Sequence, residues 1–208
     1  MNSKKNKIQQ LTLSAFFVAI EIVMSLTPLG YIRVGATAIT TMHLPVILAS
    51  ILLGYKTGLL TGFVFGMTSM LTATFNPDIT AFCFSPFYSS GAVSGNFFSL
   101  VIAFVPRMLL GILSCFIYKL INDKFDNTIL ASSISAIFNT LLHTLLVLGM
   151  IALFFGKEYQ SVAGASVGAA IIFALSTNGI LEIILAGLVI PVMVKALKPS
   201  LDRMFMHN

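Results

Sequence analysis

Tryptophan is absent from this chain and charge is scarce. Of its 208 residues only 9% are Asp, Glu, Lys or Arg, where soluble domains carry about a quarter. So little polar surface cannot coat a globule in water, which excludes a soluble fold. Cysteine occurs twice, at Cys83 and Cys115, with no metal-ligand spacing. Both read as unpaired packing thiols, because Cys115 falls in an apolar helix and a bridge to Cys83 would cross much of a membrane. There is no G-x-x-x-x-G-K-[ST] loop, no H-E-x-x-H and no G-x-S-x-G. The chain therefore carries no nucleotide-binding loop of its own, and nothing recommends an enzyme. No inverted repeat relates the two halves, although many secondary transporters have one. The missing tryptophan argues mildly against a site built to stack a large flat ring, although Phe and Tyr can stack too.

What remains is apolar. Hydrophobic residues make up 57% of the chain and the mean hydropathy is +0.98. Six apolar segments stand out, at 11–26, 43–53, 58–74, 97–121, 128–155 and 179–197. A spanning helix needs about 20 residues. The second segment must therefore borrow from "ATAIT" (Ala36 to Thr40) or stay short beneath a loop. The expectation is an all-α membrane protein of six transmembrane helices, forming a single domain over 1–208. Lys4, Lys5, Lys7, Lys56, Lys119, Lys124, Lys195, Lys198 and Arg203 fall in one set of connections, and only Arg33 and Lys157 in the other. The excess of Lys and Arg on cytoplasmic loops places both termini in the cytoplasm, and it assigns the net charge of +5 to topology and not to nucleic acid. The basic start "MNSKKNKIQQ" is followed by no A-x-A-like cleavage site and reads as the start of a retained first helix.

Three long connections, 27–42, 75–96 and 156–178, then face outward. They are rich in Gly, Ser and aromatics, whereas inner turns such as "GYKTG" are tight. This pattern suggests a pocket open to the outside and covered by loops, or plain surface decoration. In "FCFSPFY" (Phe82 to Tyr88) the aromatics, Phe84 among them, either close over an apolar part of a ligand or form an interfacial belt.

Ionisable groups at membrane depth are costly and usually face an interior, a cavity or a partner. Arg107 lies twelve residues before Lys119 and Asn139 twelve after Asn127, each roughly 18 Å from the cytoplasmic end. Glu182 and Glu21 fall at roughly 20 Å by the same measure, and His143 is one turn above Asn139. Four helices thus place polar groups in one layer of the outer half. Asn139 and His143, like Asn178 and Glu182, are four residues apart and share a helix face. Arg107 is expected to anchor a small polar cavity, since a guanidinium fork suits a carboxylate or phosphate. The competing expectation is an Arg107–Glu182 ion pair that ties two helices together. Asn178 has a competing role as the N-cap of "GILEIIL". Ala15-x-x-x-Ala19 and Gly58, Gly62, Gly66 repeat the small-residue spacing that lets helices approach closely.

Taken together, the six short spans, Ala15-x-x-x-Ala19, "HLPVILASILLGYKTGLLTGFVFGMTS" (His43 to Ser69), "FSPF" (Phe84 to Phe87) and "FVPRMLLGILSCFIYKL" (Phe104 to Leu120) resemble a known family. It is that of the substrate-binding S components of energy-coupling factor (ECF) vitamin transporters, in the branch of the pantothenate and hydroxymethylpyrimidine components. The resemblance covers nearly the whole chain. It implies a multi-pass protein of the bacterial plasma membrane that binds its vitamin near the outer face. It implies that Ala15 and Ala19 dock on a transmembrane coupling protein and that two ATP-binding-cassette subunits supply the energy. It also implies that the S component topples to release its ligand inward, with no cofactor. Pantothenate is the first choice, with Arg107 taking the carboxylate and Asn139, His143 and Asn178 serving the amide and hydroxyls. Hydroxymethylpyrimidine, with Glu182 accepting from its exocyclic amine, stays open, as do riboflavin, folate, a stand-alone secondary transporter and a ligand-free structural subunit.

Overall fold

The computed structural model describes residues 2–34, 37–91, 93–164 and 167–206. The helices are α1 (Asn2–Ser25), α2 (His43–Leu53), α3 (Tyr55–Phe75), α4 (Phe97–Phe125), α5 (Thr128–Ala163), α6 (Val167–Ala174) and α7 (Ile180–Met206). Five helical stretches are long and apolar enough to cross a membrane, and α2 is a shorter apolar one. The chain is a membrane protein, and six helices fit the bundle.

Local chemistry sets where the helices begin and end. Gly54 separates α2 from α3 at φ 95°, a conformation only glycine adopts without strain, and its N–H still reaches the Ser50 carbonyl at 2.9 Å. The chain therefore reverses within one residue. Asn96 opens α4 with a capping box: its side chain accepts the Phe98 N–H at 2.8 Å, and Ser99 Oγ accepts the Asn96 N–H at 3.0 Å. Ser99 Oγ also donates to the Phe82 carbonyl at 2.7 Å, which pins the 75–96 connection to the top of α4. Asn127 caps α5 by accepting the Leu130 N–H at 3.0 Å.

The bundle core gathers on α2, whose Val46, Ile47 and Ala49 are buried among Phe17, Phe65, Leu110, Ala186 and Ile190. A second apolar cluster lies by the 75–96 connection, where Phe82 and Cys83 pack with Ile102, Ile151 and Phe155. Leucines at 11, 153 and 188 are mostly exposed, as a lipid-facing surface requires.

The α3–α4 crossing is the tightest in the bundle. A Cβ at Gly58 would strike the Gly111 carbonyl, one at Gly62 the Arg107 carbonyl, and one at Gly66 the Ala103 carbonyl. Lipid offers no hydrophobic force between helices, so close backbone contact through small residues supplies the packing. Ser50 Oγ donates to the Gly111 carbonyl at 2.5 Å and brings α2 into the same contact.

Two expectations change, and of the two courses open to α2 the short one holds. The fold is not purely helical: Tyr31–Val34 pairs antiparallel with Thr37–Thr40, and Ser89–Ser90 with Val93–Ser94. The β-branched residues of "YIRV" and "TAIT" favour that extended state. Consequently α2 stays short, at about 16 Å by helical rise, because residues 37–40 belong to the strand; Ala36 lies outside the described residues. The 156–178 connection is mostly helical. After a kink at Phe155 (φ −130°, ψ 20°), α5 continues to Ala163, and α6 runs through a π-turn (Leu175–Gly179) into α7. Its glycines and serines read as loop, yet its alanines favour helix, and backbone away from water must pair internally.

An alanine at Gly62 must push α3 off α4, so Gly62→Ala is expected to destabilise the chain by about 1–3 kcal/mol. A Cβ at Gly149, within α5, meets nothing. Gly149→Ala should be neutral or stabilising by about 0.5–1 kcal/mol. Thermal unfolding of both variants in detergent checks the opposite signs.

Candidate functional site

Arg107 follows directly on Pro106 inside α4. Proline has no N–H, so the Ile102 carbonyl, four residues earlier, has no helical donor. Arg107 Nη1 supplies one at 2.6 Å. Two aromatic rings lie against the guanidinium, with its carbon 5.3 Å from the centroid of Phe65 and 5.1 Å from that of Phe84. Arg107 is only 6% exposed, and its Nε finds no hydrogen-bond partner within the protein.

His143 stands on α5 beside the same Phe65 ring, 5.9 Å between centroids, and its Nε2 is likewise unpartnered. One turn away, Asn139 Nδ2 donates to the Ser135 carbonyl at 2.8 Å, while its Oδ1 is buried without a donor. Arg107, His143, Phe65 and Phe84 thus meet across α3, α4, α5 and the 75–96 connection, with Asn139 one turn from His143. Glu182 is placed differently from the ion-pair expectation. Its Oε1 accepts the Thr40 N–H at 2.8 Å, so it fastens the first hairpin to α7, and no hydrogen bond joins it to Arg107. Asn178 is half-buried within the π-turn. It is not a helix N-cap, because the helical run passes through it from α6 to α7. The π-turn also offsets the helix faces before and after it, which disturbs the alignment of Asn178 with Glu182. Ala15 and Ala19 are exposed on α1 beside Phe16 and take no part in this cluster.

The structure adds residues that composition and spacing did not single out. Tyr31, on the first hairpin, has its hydroxyl pKa raised chiefly by burial, against the opposing effects of the nearby Ser69 hydroxyl and the Arg107 charge; the Glu21 carboxylate adds to the rise. Tyr31 and Ser69 face one another without closing a hydrogen bond of ordinary geometry, since Ser69 Oγ is buried and unpartnered. Glu21 and His43, ionisable residues that the sequence already sets at membrane depth, are buried as well, with both carboxylate oxygens and both ring nitrogens unpartnered. Phe65 was hidden inside an apolar run; the glycine spacing around it on α3 was the one available signal. The 75–96 connection holds Cys83 with its thiol pushed up to about 12, mainly by burial, so it is an inert packing group. Among the described residues no set of three His, Cys, Asp or Glu side chains could hold a metal.

Chemically, the described residues form a buried polar layer with the Arg107 cation, two aromatic walls and acceptors and donors from at least four elements. Buried polar atoms without partners are costly. The arrangement suits a small molecule with an anionic end and several hydrogen-bonding groups.

A family model described as "ECF transporter, substrate-specific component" matches residues 9–194. The pantothenic acid transporter PanT of Lactococcus lactis subsp. cremoris (strain MG1363) is 37% identical over 196 residues, covering 93% of this chain and 97% of that protein.

Removing the Glu182 acceptor should free the hairpin without disturbing α4. A hydrogen bond to a charged group contributes about 1.5–3 kcal/mol. Glu182→Ala is therefore expected to speed amide exchange at Thr40 by about tenfold or more, with exchange in α4 unchanged, as read by hydrogen–deuterium exchange.

Proposed function

The chain belongs to the substrate-specific components of ECF transporters, and on that premise we propose that it is the high-affinity pantothenate-binding subunit of an ABC-type importer. The observation that carries the reading is Arg107: a buried guanidinium with a free Nε edge, in a chain so similar to a pantothenic acid transporter. Pantothenate has one carboxylate, one amide and two hydroxyls. Arg107 takes the carboxylate, because a planar fork of donors matches it and an apolar surround strengthens the attraction. Asn139 and His143 serve the amide and the nearer hydroxyl, and Glu21, Tyr31 and Ser69 offer further partners. Asn178 contributes from the rim, Glu182 holds the first hairpin in place over the site, and Phe84 closes the second connection against the ligand's apolar carbons.

The bias of Lys and Arg puts both termini in the cytoplasm of a bacterial cell, and the hairpins and the site toward the outside. The exposed Ala15/Ala19 face of α1 docks on the transmembrane coupling protein, where small residues permit close helix approach. Two ATPase subunits supply the energy that this chain lacks the loop to harvest, and a toppling of the whole domain in the bilayer releases the vitamin inward.

Calorimetric titration of the purified chain in detergent tests the reading. Pantothenate is expected to give one saturable, submicromolar response, while hydroxymethylpyrimidine, riboflavin and folate give none. Arg107→Ala should weaken pantothenate binding by about 100-fold, the loss of a charge-assisted, bidentate contact. Normal folding of that variant with unchanged affinity contradicts the assignment.

A further inference from the structure

We infer that Pro106 is a positioning residue for anion recognition: it strips the Ile102 carbonyl of its helical donor so that Arg107 docks there by one edge and presents the other to the ligand. The inference rests on the proposal that Arg107 receives a carboxylate.

A guanidinium makes hydrogen bonds only around its rim, in its own plane. Here its carbon lies over the Phe65 and Phe84 rings, 5.3 and 5.1 Å from their centroids, so aromatic surface flanks it. Of the rim donors, Nη1 is spent on the Ile102 carbonyl at 2.6 Å, whereas the Nε–H has no protein partner. The first of these bonds exists because of the residue immediately before the arginine. In an uninterrupted helix the Ile102 carbonyl accepts the N–H of residue 106. Proline lacks that N–H and its ring crowds the same carbonyl outward. The carbonyl is then a buried acceptor with no main-chain donor, a costly state, and the nearest side-chain donor is the next residue's guanidinium. Pro106 is itself buried in the bundle, so it is not placed there for a surface turn. On the neighbouring helix, Gly62 lies against the Arg107 carbonyl, which fixes the backbone from which the side chain starts.

Without Pro106, the amide at position 106 would satisfy Ile102 and Arg107 would lose its dock. Two acidic groups nearby attract the arginine, the Tyr31 hydroxyl when ionised and the Glu182 carboxylate. The guanidinium would then be free to turn toward that carboxylate and away from the ligand. Proline at this position thus trades helix stability for a fixed cation. The signature of a positioning role is a variant that is at least as stable but discriminates less.

The experiment compares the full chain and Pro106→Ala in detergent, by calorimetry with pantothenate and with its uncharged analogue in which the carboxylate is reduced to an alcohol. Pro106→Ala should lose about tenfold in pantothenate affinity, the misplacement of a charge-assisted contact. Its affinity for the alcohol should hardly change, and its unfolding temperature should be equal or higher, because the helix regains a hydrogen bond. Unchanged preference for the carboxylate, or an equal loss for both ligands, overturns the inference. If the unaltered chain binds neither ligand, the pantothenate reading falls instead. The Pro106→Ala structure then decides the positioning claim alone: Arg107 Nη1 still seated on the Ile102 carbonyl overturns it, and a displaced guanidinium upholds it.

Discussion

Helices α3 and α4 touch through backbone, and much of the molecule depends on that contact. Gly58, Gly62 and Gly66 leave no side chain between the two helices, and the Gly111, Arg107 and Ala103 carbonyls of α4 fill the space. In a lipid environment this is how helices gain packing energy. The contact also sets the height and rotation of α4, and so decides where Arg107 emerges. Phe65, adjacent to Gly66 on α3, is carried to the guanidinium by the same crossing. Through the Ser50–Gly111 hydrogen bond, α2 is drawn into the arrangement. The cation of the site and the tightest packing of the bundle are thus parts of one feature.

Around that cation the structure collects polar groups that do not satisfy one another. Arg107 Nε, His143 Nε2, Asn139 Oδ1, Ser69 Oγ and the Glu21 carboxylate are all buried and all lack a protein partner. A core selected for stability alone would pair or remove them. The two connections nearest the site are held by specific bonds, Glu182 to the Thr40 amide and Ser99 to the Phe82 carbonyl. These place Tyr31 and Phe84 at the polar layer by hydrogen bonds at the edges of their loops, while the layer itself keeps its hydrogen-bonding capacity.

The broad architecture was legible because hydrophobicity is the strongest signal a membrane chain carries. All six apolar segments appear as helices, and Arg107, Asn139 and His143, which helical rise sets at similar heights, are all buried. Connections were harder. "SVAGASVGAA" has the composition of a loop and alanines that favour helix, and the structure uses both: α5 stops at the left-handed Gly164 and α6 starts at Val167. The first hairpin hid Tyr31 because a short strand of alternating residues carries little signal beside a long apolar run. Arg107 and Glu182 are opposite charges at similar heights, which is why a pair competed with the cavity-anchor reading. The hairpin amide of Thr40 competes for the carboxylate, and that contact spans 142 residues of sequence. The dependence of Arg107 on Pro106 was written in two adjacent letters, but their meaning needed the carbonyl of Ile102.

The central claim is that a guanidinium fixed by its own helix receives the carboxylate of a small vitamin. A structure of the chain with pantothenate bound tests it most directly. The account predicts a carboxylate oxygen about 2.7–2.9 Å from Arg107 Nε, with Nη1 still on the Ile102 carbonyl and Glu182 still on Thr40. A ligand whose carboxylate lies away from Arg107, or an Arg107 turned to pair with Glu182 beside it, would contradict the account.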